Sequence, residues 1–359
     1  MNILFVYFRQ TIQAENLYIR SLYEEIQRQN PGDTECDIET FWHSSKRYDI
    51  VHIQFPEVIF KWRHPSEEGL NALRKRLVQL KRQGTKIVYT RHNAIPHYCA
   101  DSNKLELYRI VETLCDAIIH LGKFSLQDFN RAYPDNRVTH FVIPHHIYDL
   151  CGYTFPSQEE SIRQLGLPTG KRIILTFGSY RNEEEQRLVT QAFEQLPIPD
   201  KFLLAPGFYN NCFVTRKTPL RNWWRYRTQK RTFQLPEEQA RQQHGSISNS
   251  CLPYYFSAAD IVLIQRKATL NSGNVPMAFF FHKSVAGPQF GNTGEWLRET
   301  GNPTFDLTDP SSVVEAVERA FQLQAQGQGE RNAAFAREHL NTHTVARATL
   351  AAYQELLNP

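Results

Sequence analysis

The chain opens on an apolar run without alternation, Ile3-Leu4-Phe5-Val6-Tyr7, and a polar stretch separates it from residues 16–27, where Leu17, Ile19, Leu22 and Ile26 recur among polar neighbours. An uninterrupted apolar run suits a strand covered on both faces, and recurrence every three or four residues suits a helix with one buried stripe. The unit returns at 50–53 with a helix over 67–83, at 86–89 with a helix over 103–114, and at 117–120 with a short helix over 125–132; a further strand is predicted at 139–143. Strands alternating with helices in this way predict parallel pairing, helices on both faces of the sheet, and ligands at the carboxyl ends of the strands.

The rhythm breaks between Pro144 and Gly170, where Gly152, Pro156, Gly166 and Pro168 surround one short segment at 159–165. Turn-forming residues at this density predict a linker. A second set follows, with strands at 172–177, 202–205, 260–264 and 284–286, helices at 183–196, 275–281 and 310–324, and two more helices within 329–357 joined near Asn341. The pattern predicts an α/β protein of two doubly wound, Rossmann-like domains facing across a cleft. Their expected bounds are 1–150 for the first, 151–170 for the linker and 171–335 for the second, with terminal helices over 336–359 that either stay on the second domain or cross back to the first.

Composition narrows the class. A length of 359 residues is too great for one small core, and 41% hydrophobic against 22% charged residues excludes a disordered chain. The excess of 41 Lys and Arg over 37 Asp and Glu, a net +4, is too slight to predict nucleic-acid binding. Six scattered cysteines without a CxxC pair predict reduced thiols, and neither a secretory leader nor an apolar run of membrane-spanning length is visible, so a cytoplasmic protein is expected.

No GxGxxG follows the first strand, and GxxxxGK[ST] and HExxH are missing, so the usual dinucleotide and P-loop glycine cradles are excluded. No cluster of carboxylates or cysteines has ligand spacing, so no metal is expected. Polar residues gather instead just after predicted strands. His92, Asn93 and His97 follow the strand at 86–89, where His92 can position or polarise a substrate hydroxyl or serve structure alone, and His97 can act as a base or position the ligand; His140, His145 and His146 suit ordinary structural donors. Gly178 and Arg181 follow the strand at 172–177, the glycine allowing close approach and the arginine reaching phosphate oxygens or pairing with Glu183 or Glu184. Arg266, Lys267, Asn271, Ser272, Gly273 and Asn274 lead into a helix with Pro276 in its first turn, an arrangement suited to an anion or to simple capping.

Two cationic segments bear on partners. Residues 74–86 carry six Lys and Arg around Leu77, Val78 and Leu80, which fits either an anionic membrane surface or a solvated face over an apolar stripe. Residues 216–231 mix Arg and Lys with Trp223, Trp224 and Tyr226, which suits a sugar or phosphate site, a membrane contact, or burial of the tryptophans.

Taken together, His92-Asn93 with Pro96-His97, Phe177-Gly178 with Arg181, and the stretch from Tyr255 through Ser272-Gly273 to Ser284-Val285 resemble the two-domain glycosyltransferases of the GT-B fold, in particular the family 4-like group. The resemblance spans nearly the whole chain. It implies transfer of a sugar, of hexosyl type, from a nucleotide-sugar donor to a hydroxyl of a saccharide or lipid-linked acceptor in surface polysaccharide or glycan synthesis, without a metal or other cofactor. It further implies a catalytic group of His92, Asn93 and His97, and a donor site of Gly178, Arg181, Arg266, Lys267, Asn271, Ser272, Gly273 and Asn274. The implied place of work is the cytoplasm or the inner face of the membrane. Three positions depart from the family pattern: Glu183-Glu184-Glu185 stands where a lysine is usual, Met277 where a glutamate holds the ribose, and His282 where a glycine precedes the next strand. The departures leave a second reading standing, a non-catalytic nucleotide-sugar or saccharide-binding protein on the same scaffold.

Overall fold

The computed structural model describes residues 1–9, 16–95, 101–213, 219–267 and 269–358. The chain divides into two compact units, Met1–Cys151 with His339–Pro359, and Gly152–Glu338.

The first unit runs β1 (Ile3–Val6), α1 (Leu17–Gln29), β2 (Thr34–Cys36), α2 (Ile38–His43), β3 (Ile50–Ile53), α3 (Glu67–Arg82), β4 (Lys86–Arg91), α4 (Ser102–Leu114), β5 (Ala117–His120), α5 (Lys123–Ala132) and β6 (Thr139–Val142). The second runs α6 (Gln158–Leu165), β7 (Arg172–Leu175), α7 (Glu183–Gln195), β8 (Lys201–Ala205), α8 (Pro219–Phe233), β9 (Ala240–Gln242), α9 (Leu252–Ala258), β10 (Ile261–Leu263), α10 (Asn274–Phe280), β11 (Ser284–Pro288), α11 (Gly291–Glu299), β12 (Thr304–Phe305), α12 (Pro310–Ala325) and α13 (Gln328–His339). The last helix, α14 (Thr342–Leu357), returns to the first unit.

Each unit is built on one six-stranded sheet, in the order β2-β1-β3-β4-β5-β6 and β12-β11-β10-β7-β8-β9, and every pairing is parallel. Parallel strands need crossover helices on the sheet faces, which is why β1, β3 and β5 are buried at every residue and read as unbroken apolar runs. The edge strands β2, β9 and β12 were not apparent in the hydrophobic pattern, because segments of two or three residues are too short to show a period.

Helix starts follow side-chain chemistry. Asn16, Ser66, Asp101, Asn182 and Asn341 each accept a hydrogen bond from a backbone N–H of the first turn. Through Val345, Ala346, Leu350 and Tyr353, α14 joins the apolar layer formed by Ile19, Leu22 and Ile26 of α1. The basic helix α3 spends its apolar stripe in the same unit: Leu70, Leu73, Leu77 and Leu80 are buried, Arg74 pairs with Glu106, Lys81 pairs with Asp116, and buried Arg76 donates to the carbonyls of Phe41 and Ser44. Among the described residues no helix is long and apolar enough to cross a membrane.

Candidate functional site

In the second unit the strand order reverses at β7, with β8 on one side and β10 on the other. Loops leave the carboxyl ends of β7 and β10 on the two sides of this reversal, the position at which open α/β sheets take their ligands. The β7 loop passes through Phe177 and Gly178, whose φ of +92° belongs to the left-handed region. A Cβ at position 178 would stand 3.7 Å from both Arg266 Nη2 and Asn274 Nδ2, so bare backbone forms the wall beside those groups. The Phe177 carbonyl accepts from Asn274 Nδ2 at 2.6 Å and from Gln265 Nε2 at 3.3 Å, which ties the two loops together. Behind this wall Gly207 approaches so closely that a Cβ there would lie 2.9 Å from the Gly178 oxygen.

Glu185 organises the cations. Asn182 accepts from the Glu185 N–H at 2.9 Å, and the Glu185 carboxylate, 3% exposed, turns back to the Arg181 N–H at 2.8 Å and to Arg266 Nη1 at 2.9 Å. This reciprocal arrangement satisfies the start of α7 and suits the positive end of its dipole. Lys267 pairs with Glu184 at 3.0 Å. The acidic run that departs from the family pattern is thus the partner of the two cations that follow β10, while half-buried Arg181 stands at the mouth of α7.

The loop before α10 is pinned from the other side. Asn292 Nδ2 donates to Asn271 Oδ1 at 2.7 Å, and the Thr269 hydroxyl donates to the Asn271 carbonyl at 2.6 Å. Ser272 and Gly273 complete the loop, their carbonyls accepting from the N–H groups of Val275 and Met277. Met277 is 4% exposed and belongs to the core, so it offers no polar group where the resembled family has glutamate. His282 adopts a φ of +57°, the left-handed conformation that glycine takes freely, and pairs with Glu330 at 2.8 Å. His282→Gly is therefore expected to leave stability unchanged within about 0.5 kcal/mol or raise it, and His282→Val to lower it by about 1–2 kcal/mol. Equal effects of the two substitutions in urea denaturation would refute this.

In the first unit the strand order reverses at β1, and the residues after β3 and β4 carry the polar cluster. His92 is 8% exposed, lies face to face with Phe55 at 4.2 Å between centroids, and meets Tyr18 edge-on at 5.1 Å. Its Nε2 is 2.9 Å from Gln54 Oε1, an atom that only accepts, so this contact places a proton on Nε2. Beneath it His52 bonds to Thr90 at 2.7 Å and to the Tyr353 hydroxyl at 2.5 Å. Asn93 is buried beside Tyr108, whose hydroxyl donates to Glu57 at 2.8 Å; burial raises the Glu57 carboxyl, and its second oxygen has no partner among the described residues. His97 lies outside the described residues. Gln54 and Glu57 pack beneath the candidate cluster and were not singled out in the sequence, and Glu185 stood out there only as part of a departure from the family pattern; the role of each is revealed by a partner distant in the chain. Among the described residues no group of three or more His, Cys, Asp or Glu is arranged to hold a metal.

No known protein-family profile matches the chain. No curated protein matches it either. Solved structures do. Sucrose-phosphate synthase from Thermosynechococcus elongatus superposes with a TM-score of 0.69 at 16% identity, covering 99% of this chain and 98% of the other. Anabaena HepE in complex with UDP-glucose gives 0.70 at 12% identity over 98% and 99% of the two chains. A glycosyltransferase from Rickettsia africae gives 0.61 at 14% identity, covering 98% of this chain and 84% of its own. Likeness at this identity establishes the fold: two Rossmann-like α/β units of the GT-B type.

Proposed function

We propose that the protein is a glycosyltransferase that moves a sugar, of hexosyl type, from a nucleoside-diphosphate sugar to a hydroxyl of a saccharide or lipid-linked acceptor. The observation that carries this reading is the reversal at β7, where bare Gly178 backbone lies beside Arg266 and Asn274 and the loops bearing Arg181 and Ser272-Gly273 leave the sheet, in a fold whose solved members include HepE with UDP-glucose. Arg181 and the amides of that loop neutralise charge on the departing diphosphate. His92, held by the hydrogen bond from its Nε2–H to Gln54 Oε1, positions the acceptor hydroxyl for attack on the anomeric carbon as the bond to the diphosphate breaks. Asn93 orients the acceptor beside it, and His97 belongs to the same group by its place in the sequence. The protein works in the cytoplasm, at the inner face of the membrane where the acceptor is lipid-linked, and serves surface polysaccharide or glycan synthesis.

Calorimetry with UDP-, GDP-, ADP-, CMP- and dTDP-sugars tests the reading. One nucleotide is expected to bind, and Arg181→Ala to weaken it about 10- to 100-fold through loss of charge-assisted hydrogen bonds. Absence of binding by every nucleotide sugar would overturn the proposal. A second reading, a nucleotide-sugar-binding protein without transfer, is favoured by the pairing of Arg266 with Glu185 and of Lys267 with Glu184, which engages two of the candidate phosphate-binding cations with carboxylates. Tight donor binding with neither transfer nor hydrolysis, unchanged in His92→Ala, would select it.

A further inference from the structure

The two faces of α8 meet different surroundings. Tyr226, Gln229 and Phe233 fasten the helix to the second unit: Tyr226 meets Tyr209 edge-on at 5.2 Å, Phe233 joins the core, and buried Gln229 bonds to Gln186 at 3.1 Å and to Glu183 at 3.0 Å. Leu220, Trp223, Trp224, Arg227 and Arg231 recur at helical spacing on the opposite side. Leu220, Trp223 and Trp224 are 76%, 45% and 63% exposed, and the Arg227 guanidinium lies 4.8 Å from the centre of the Trp223 ring. The helix contains Arg221, Arg225, Arg227, Lys230 and Arg231 and no acidic residue. In α3, by contrast, the apolar stripe is buried and Arg74 and Lys81 are paired.

We propose that this face of α8 docks on an anionic lipid bilayer, with Leu220, Trp223 and Trp224 entering the headgroup region and the cations of that face, Arg227 and Arg231, meeting lipid phosphates. Three observations select this occupant. Indole rings favour the membrane interface, where an apolar body meets a polar tip. The unopposed positive charge complements anionic headgroups. The rings of Trp223 and Trp224 stand at 81° to each other, which presents an apolar wedge and not the parallel platform that stacked nucleic-acid bases require. Because the inner face is already fastened, docking requires no folding of the helix. Gln229 binds Glu183, the first residue of α7, so a docked α8 holds the loop that carries Arg181 close to the lipid surface. The docking stands whether or not the protein transfers a sugar.

Co-sedimentation of the full chain with phosphatidylcholine vesicles, with and without phosphatidylglycerol, tests the proposal, read together with tryptophan emission. At low salt the protein is expected to sediment with the anionic vesicles alone, with a blue shift in emission, and to be released by salt. Trp223→Ala with Trp224→Ala, and separately Arg227→Glu with Arg231→Glu, are each expected to weaken partitioning about tenfold or more while keeping the wild-type melting temperature, because these side chains point outward. Arg74→Glu with Lys75→Glu is expected to change little. The proposal is overturned by failure to sediment, by equal sedimentation with neutral vesicles, by loss of binding only in the Arg74/Lys75 variant, or by dimerisation through α8 without vesicle binding.

Discussion

Arg91→Ala is expected to destabilise the first unit by about 3–5 kcal/mol, the range for breaking a buried ion pair from one side. The Arg91 side chain is 4% exposed at the end of β4, with Nε 3.3 Å from Glu112, Nη2 2.9 Å from Asp128, and Nη1 donating to the Ser125 carbonyl at 3.1 Å. Glu112 is itself buried, and burial raises its carboxyl despite Arg91 and the hydroxyl of Tyr133 beside it. Removal of the guanidinium strands that carboxylate, and its protonation relieves only part of the penalty. Arg91→Met combined with Glu112→Gln should recover most of the loss, since a neutral pair of similar volume has no charge to desolvate. Urea denaturation of the three proteins decides the matter: a loss below about 1 kcal/mol for Arg91→Ala would sink the argument. His92 follows Arg91 directly, so the same variant should displace the His92–Gln54 contact.

Acid is expected to open the first unit before the second. Burial holds His52, His120 and His145 near a pKa of about 3, His120 being lowered further by His140 and Arg91, and burial also lowers His140 and His146. The unfolded chain takes up these protons near 6.5, whereas the folded unit does so only near 3. The unfolded state therefore binds more protons throughout that window, and stability falls as pH drops from about 6.5 towards 3. Each of the three contributes about 1.4 kcal/mol per pH unit once its free form titrates, together about 4. Glu25, held at about 2 chiefly by Arg28, adds to the loss below 4.5, while Glu57 and Glu112, raised by burial, oppose it. Hydrogen exchange at pH 7.5 and pH 5 should show β3, β4 and β5 losing protection first. His120→Gln, which can still bond to Ser125, should flatten the dependence by the roughly 1.4 kcal/mol per pH unit that His120 contributes. Equal acid sensitivity in β7 and β8 would refute the assignment.

Much of the architecture was legible in the chain because parallel strands are covered on both faces. Ile3-Leu4-Phe5-Val6 and Ile173-Ile174-Leu175 admit no polar position, and a sheet so covered needs crossover helices. The loops after such strands were legible as candidate sites for the same reason, since polar residues gather where the apolar run stops; Gly178 and His92 became candidates this way. Their partners were not. Glu185 reaches Arg266 across 81 positions, and Gln54 reaches His92 across 38. Sequence spacing carries no information about such contacts, which depend on which strands become neighbours.

By itself the sequence determined the alternation of strand and helix, the capped helix starts and the two-unit α/β class, because these rest on local periodicity and on side chains within one turn of the backbone they satisfy. The order of strands, and so the reversals at β1 and β7, was decided by the tertiary structure alone, as was the docking of α14 against α1 through Tyr353 and Leu350. It also decided the opposite fates of two cationic helices that look alike in the sequence. In α3 the leucine stripe meets a core and its arginines meet carboxylates, whereas in α8 the inward side is taken by Tyr226, Gln229 and Phe233, which leaves Trp223 and Trp224 in water. The reason is that an amphipathic pattern specifies a face, and only the packing of its neighbours specifies what that face meets.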